Sequence, residues 1–159
     1  MPSAIPESHL AAWRAVLNAE TAVVARAEAA LAAAGLPPLG WYDVLWAIRR
    51  APHRRLRMSE LAAGLTISRG GLTKIADRLE RAGLIRREPA ADDGRGLYAV
   101  LTPEGNALLR RMWPVYSRVL RGTFVEVISA DEAAVIAMAL DRAKSATFAA
   151  PGLSGAEDT

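Results

Sequence analysis

Between Ser68 and Leu84 the chain reads SRGGLTKIADRLERAGL, and the spacing of its apolar residues suits one regular structure. Leu72, Ile75, Ala76 and Leu79 recur at i, i+3, i+4 and i+7, a single stripe along an α-helix. Ser68 stands where an N-cap side chain accepts backbone N–H groups. Gly83 stands where the residue past a helix end turns left-handed, and Leu84 behind it can fold back on the last turn. The face away from the stripe carries Arg69, Thr73, Lys74, Asp77, Arg78 and Arg81. A helix with an apolar back and an Arg/Lys/Thr front fits a DNA major groove. It also fits an ordinary solvated surface, and the neighbouring segments bear on that choice.

Upstream, Met58–Gly64 reads as a short helix with Leu61 and Ala62 facing inward, and residues 64–67 turn the chain into Ser68. A short helix, a glycine-containing turn and a basic amphipathic helix make a helix-turn-helix. Downstream the period changes. Residues 84–88 read as a strand ended by Pro89, and Leu97–Leu101 as the return strand. The tip between them has turn composition, with Asp93-Gly94 as its turn dipeptide. A hairpin directly after such a helix is a wing. Arg95 at its tip has two readings: a solvated loop arginine, or a side chain entering a narrow minor groove.

The flanks are helical. Glu7–Ala34 is an alanine-rich helix too long to lie wholly within a small domain, so it is expected to pack on another chain or a distant helix. Gly35 stops it and Pro37-Pro38 prevent its continuing. Leu39–Arg50 is a second helix, and residues 51–57 read as a connector. Thr102-Pro103-Glu104 opens a further helix with an N-cap, a proline at the first position and an early acid. Pro114 predicts a kink in it. Ser129-Ala130-Asp131-Glu132 matches a capping box at the head of a last helix. The small, acidic residues from Pro151 onward read as a disordered tail.

The 159 residues allow one domain or a fused pair with a real core. Net charge is only +3 but uneven: Arg49 to Arg95 holds twelve Arg/Lys against six Asp/Glu, a local excess of +6, and the remainder carries −3. That asymmetry points to a centre that binds a polyanion. There is no cysteine, which excludes disulfides, thiolate metal sites and thiol redox sensing. His9 and His53 are far apart in sequence and argue no metal site. No segment has the length and apolarity of a membrane span. The N-terminus lacks a basic stretch followed by an apolar core, so no secretory signal is visible. No nucleophile with a base, phosphate loop or paired-carboxylate motif is visible, so no enzyme and no cofactor are expected.

Taken together, MSELAAGLTISRGGLTKIADRLERAGLIRREPAADDGRGLYAVLTPEG resembles the MarR-type winged-helix transcription regulators. The matching features are the SELA short helix, the S-R-x-G-L-T helix start, the L-x-x-x-G-L-I-x-R passage, the D-x-R tip and the L-T-P-E-G entry to the next helix. They follow one another in fixed order over about 50 residues. The resemblance implies a mainly α chain with a small β-hairpin wing, in which a winged helix-turn-helix lobe is joined to long dimerisation helices. The boundaries it implies are 1–36 for an N-terminal dimerisation helix, 37–109 for the DNA-binding lobe, 110–148 for C-terminal dimerisation helices and 149–159 for the tail.

It further implies a cytoplasmic homodimer, most often a repressor and less often an activator, on a pseudo-palindrome of double-stranded DNA. Ser68, Arg69, Gly70, Thr73, Lys74 and Arg78 would lie on the recognition helix, and Asp93 and Arg95 at the wing tip. Many members release DNA when a small aromatic acid binds between the dimer and DNA-binding regions. Trp13, Trp41, Tyr42, Trp46 and Trp113 lie on helices that the family places around that pocket, and they also suit core and dimer packing. Gly70 departs from the Ser or Ala common there; with Gly71 it costs roughly 1 kcal/mol per glycine in helix propensity. A non-specific architectural or partner-binding protein of the same fold is the alternative.

Overall fold

The computed structural model describes residues 4–65, 69–90 and 96–149, with backbone alone at Arg69, Phe148 and Ala149. The Ser68 cap, the wing tip with Asp93 and Arg95, and the tail from Pro151 lie outside the described residues. The chain forms two compact units, Met1–Leu120 and Arg121–Thr159.

In the first unit, helix α1 spans Glu7–Ala33 and α2 spans Leu39–Arg50. Gly35 adopts φ +66°, which a side chain would resist. Its N–H and that of Leu36 return to the carbonyls of Ala32 and Leu31 at 3.0 and 2.9 Å, closing the last turn of α1 in a Schellman pair. Glu28 of α1 then accepts the backbone N–H of Leu39 at 3.0 Å, tying the start of α2 to α1. Val44, Leu45 and Ile48 of α2 are fully buried.

Residues 51–57 are more than a connector. After a 3-10 turn at Pro52–Arg54, Arg55–Arg57 forms strand β1. It pairs antiparallel with β3 (Leu97–Leu101), which pairs on its other side with β2 (Ile85–Pro89). The wing is therefore rooted in a three-stranded sheet. A strand of three residues with a single apolar side chain, Leu56, is too short to show a period of two.

Helix α3 spans Met58–Gly64, with Glu60 accepting the Arg57 N–H at 3.0 Å, and α4 spans Arg69–Arg81. The apolar stripe of α4 is where the spacing predicts: Leu72, Ala76 and Leu79 are buried. Gly83 has φ +71°, and the N–H groups of Gly83 and Leu84 return to Glu80 and Leu79, both at 2.9 Å. Helix α4 thus ends as α1 does.

Helix α5 spans Pro103–Leu120 and continues through Pro114. Its start is clasped to the end of α4. Thr102 donates its hydroxyl to the Gly83 carbonyl at 2.8 Å and its N–H to the Leu84 carbonyl at 3.2 Å. The same hydroxyl accepts the Gly105 N–H at 3.0 Å. Gly105 lies against that clasp so closely that a Cβ there would fall on the Leu84 carbonyl oxygen.

The second unit consists of a π-helical turn at Arg121–Val125 and helix α6, Ala130–Ala149. The expected capping box is formed: Glu132 accepts the Ser129 N–H at 2.9 Å, and Ser129 Oγ accepts the Glu132 N–H at 3.3 Å. The Ser129 hydroxyl also donates to the Glu132 carboxylate at 2.7 Å, and that bond, with the one from the Ser129 N–H, holds the Glu132 carboxyl below its ordinary range. No helix among the described residues is long and apolar enough to cross a membrane.

Candidate nucleic-acid interface and aromatic cleft

The polar side of α4 divides in two. Asp77 and Glu80 turn toward β2, where Arg87 meets Asp77 at 2.6 Å and Glu80 at 3.3 Å. Glu80 also accepts the Arg87 backbone N–H at 3.1 Å. Arg81 donates to the Asp77 carbonyl at 3.2 Å. Both acids of the helix are thereby engaged by an arginine of the sheet. Lys74 and Arg78 are exposed and make no ion pair among the described residues. Thr73 is exposed on the same helix, and Gly70 faces open space. The outer edge of α4 is more positive than its residue count suggests, because its two negative charges are answered from behind. Of the other DNA-contact candidates, the side chains of Ser68, Arg69, Asp93 and Arg95 lie outside the described residues.

The aromatic candidates separate. Tyr42 stacks with Trp46 at a centroid distance of 6.0 Å and with Trp113 at 6.3 Å. It also meets Tyr116 edge-on at 5.3 Å. These rings belong to α2 and α5. Tyr42, Trp46, Arg49, Leu109, Arg110 and Trp113 line a cleft of about 510 Å³. Arg49 lies over the Trp46 ring, 5.4 Å from its centroid. Trp13 stands 59% exposed on α1, and Trp41 is half-buried against the core; neither lines the cleft. Tyr116, Arg49 and Arg110 are the contributors that sequence reading missed. The i, i+3 spacing of Trp113 and Tyr116 was the available signal.

Beside this cluster lies a half-buried acid. Burial pushes the Asp43 carboxyl up to about 6, and the nearby charge of Glu28 adds to the rise. Burial also raises the Tyr42 and Tyr116 hydroxyls, helped by each other's proximity for Tyr42 and by Asp43 for Tyr116. The folded state therefore holds a proton on Asp43 that the unfolded chain releases near the ordinary value of 3.8. Its favourable contribution is complete below that value and is lost as pH rises through about 6. Asp43→Asn is expected to stabilise the protein at pH 8 by about 1 kcal/mol, a figure reduced for partial solvent screening. The gain should fade as pH falls below 3.8, where the carboxyl is protonated in the folded and the unfolded chain alike. Equal melting shifts at pH 8 and in that acid range would show that the charge on Asp43 is not the cause.

No group of three or more His, Cys, Asp or Glu among the described residues could hold a metal ion.

A model described as "MarR family" matches residues 34–96, which run from the end of α1 through the helix-turn-helix into the hairpin. The HTH-type transcriptional regulator PecS of Dickeya dadantii is 40% identical over 73 residues, covering 45% of this chain and 43% of PecS. The chain thus matches less than half the length of that curated relative. Solved structures match more fully. Sco3205 of Streptomyces coelicolor, a MarR family transcriptional regulator in complex with DNA, is 28% identical with TM-score 0.81, covering 92% of this chain and 91% of that one. AbsC, another MarR family regulator of that organism, is 27% identical with TM-score 0.80, covering 93% and 99%. The clasped α4–β2–β3–α5 lobe, the family match across it and the near full-length structural likeness agree on a winged helix-turn-helix chain similar to the MarR family regulators.

Proposed function

We propose that this chain is a sequence-specific DNA-binding transcription regulator of the cytoplasm, working as a homodimer on a pseudo-palindromic operator, most simply as a repressor. The observation that carries the reading is the outer edge of α4, where Lys74 and Arg78 are exposed while Asp77 and Glu80 are engaged by Arg87. Likeness to a relative solved on DNA supports it. In this reading Ser68, Arg69, Gly70, Thr73, Lys74 and Arg78 approach the major groove, and Asp93 and Arg95 bring the wing tip to the neighbouring minor groove. Residues 37–109 act as the reading lobe, with dimerisation helices on either side.

The test is selection of a preferred duplex from a random pool, followed by titration against unrelated DNA. Removing a base-reading arginine, as in Arg78→Ala, is expected to cost about 1–3 kcal/mol on the selected duplex and to relax preference at one position. Lys74→Ala, if it meets phosphate alone, should weaken all sequences alike and flatten the salt slope by about one unit. Equal binding of selected and random DNA at moderate salt would leave the architectural alternative standing.

The cleft gives this reading an effector site. Three aromatic faces and two arginines, Arg49 and Arg110, suit a small planar acid, with the rings holding its body and a guanidinium its carboxylate. Titration with an aromatic carboxylate should quench Trp46 and Trp113 fluorescence and release DNA. Quenching that survives in Arg49→Ala and Arg110→Ala would place the acid elsewhere.

A further inference from the structure

The sheet has a second face that the recognition helix does not use. Because β3 runs between β1 and β2, its residues are flanked on both sides, giving the rows Arg55–Val100–Arg86 and Arg57–Tyr98–Glu88. Residues paired directly across strands share a face. The row between them, Leu56–Ala99–Arg87, points the opposite way, to where Arg87 grips α4. The Arg55 and Arg86 rows therefore look away from α4.

This outer face is basic and preorganised. The Arg55 guanidinium lies 4.7 Å from the Tyr98 ring centroid and that of Arg57 lies 5.3 Å from it. A guanidinium laid on a ring keeps its N–H edge directed outward, where it can take two oxygens of one phosphate. Val100, between Arg55 and Arg86, is left only 8% exposed. Glu88 is engaged by Arg86 at 2.6 Å. Arg50 at the end of α2 and Arg54 in the turn before β1 are exposed, and no Asp or Glu occurs between Asp43 and Glu60.

We infer that this outer sheet face, led by Arg55 and Arg86, binds the phosphate backbone of duplex DNA flanking the operator. The inference rests on the function proposed above. A duplex held by α4 ends its contact with that helix on one side of the sheet. DNA long enough to pass the wing and bend back meets the other side. Because α4 already tethers the duplex, even weak phosphate contacts gain from high local concentration. Arg55 and Arg86 stand two strand spacings apart, about 10 Å, so they reach separate phosphates.

The experiment compares two duplexes carrying the selected site: one of about 20 bp, enough for two half-sites, and one with about 20 bp of arbitrary sequence added on each side. The wild-type dimer is expected to bind the long duplex more tightly at low salt. Two phosphate contacts add about 1.8 to the salt slope, so the advantage should shrink roughly tenfold between 50 and 200 mM salt. The double variant Arg55→Gln, Arg86→Gln should match wild type on the short duplex and show little of the advantage on the long one.

The same advantage in the variant overturns the inference. So does an equal loss on both duplexes, which would make these arginines part of the operator interface or of the fold. If the long duplex brings no advantage but a poly-glutamate peptide binds wild type and not the variant, the face serves an acidic protein instead. Failure of wild type to prefer the short selected duplex over random DNA would defeat the underlying function, and is read separately from the length effect.

Discussion

Gly105→Ala is expected to lower stability by about 3 kcal/mol, although intrinsic helix propensity alone would predict a gain of about 1 kcal/mol. The new methyl would fall on the Leu84 carbonyl oxygen, and the Leu101 side chain also stands in its way. That oxygen belongs to backbone, held from one side by the α4 cap and from the other by the Thr102 N–H. It has little room to yield. The helix would have to lift from the end of α4, weakening the Thr102 bonds that join the two elements. For a chain of this size the loss corresponds to roughly 6–12 °C in melting temperature. Gly70→Ala is the control of opposite sign, because no atom lies within 4 Å of its Cβ position. It should gain up to about 1 kcal/mol. A neutral or stabilising Gly105→Ala would show that the clasp is loose.

If the proposed dimer forms through α1 and α6, a charge placed on the exposed apolar side of either helix should abolish it and most DNA binding together. On α1, Trp13 and Leu17 stand 59% and 45% exposed; on α6, Val135, Met138 and Leu140 stand 60%, 57% and 42% exposed. In one subunit considered alone, Leu17→Glu or Leu140→Glu adds a charge to a side chain already facing solvent and should cost that subunit little. Any large effect therefore reports a second copy. Each variant is expected to sediment as a monomer at micromolar concentration. Operator affinity should fall by about 10²–10⁴, the advantage of binding two linked half-sites at once. Dimers that persist in both variants, with operator binding unchanged, would remove these helices from the interface.

The elements legible in the sequence are those whose information is local. The stripe Leu72, Ile75, Ala76 and Leu79 states a helix and its buried side, and Gly83-Leu84 states its end, because both depend on residues within two turns of each other. The Ser129–Glu132 box is legible for the same reason. Strand β1 is not, because Arg55–Arg57 becomes a strand only by pairing with Val100, Ala99 and Tyr98, more than forty positions away. The candidate site shows the same division. The basic front of α4 could be read directly. That Asp77 and Glu80 would both turn to Arg87 could not, since a helical face does not say which strand crosses behind it. Of the aromatic set, Tyr42, Trp46 and Trp113 stand as neighbours. Trp13 and Trp41 share only the helices that the resemblance sets around a pocket, and a place on a helix carries no distance.

The division of α4 has a bearing on how such a protein can change its target. Leu72, Ala76 and Leu79 hold the helix to the core, and Asp77 and Glu80 hold it to the sheet through Arg87. The side chains of Lys74 and Arg78 make no ion pair among the described residues. On the proposed DNA-reading role of positions 74 and 78, binding preference and foldedness are therefore written on separate letters of the same thirteen-residue helix. Exchanges at positions 74 and 78 can explore new recognition without first finding a compensating change in the core. Exchanges at 77 or 80 strand a cation behind the helix. The reading surface is free to diverge at the rate its DNA sites do, while its mounting stays as it is.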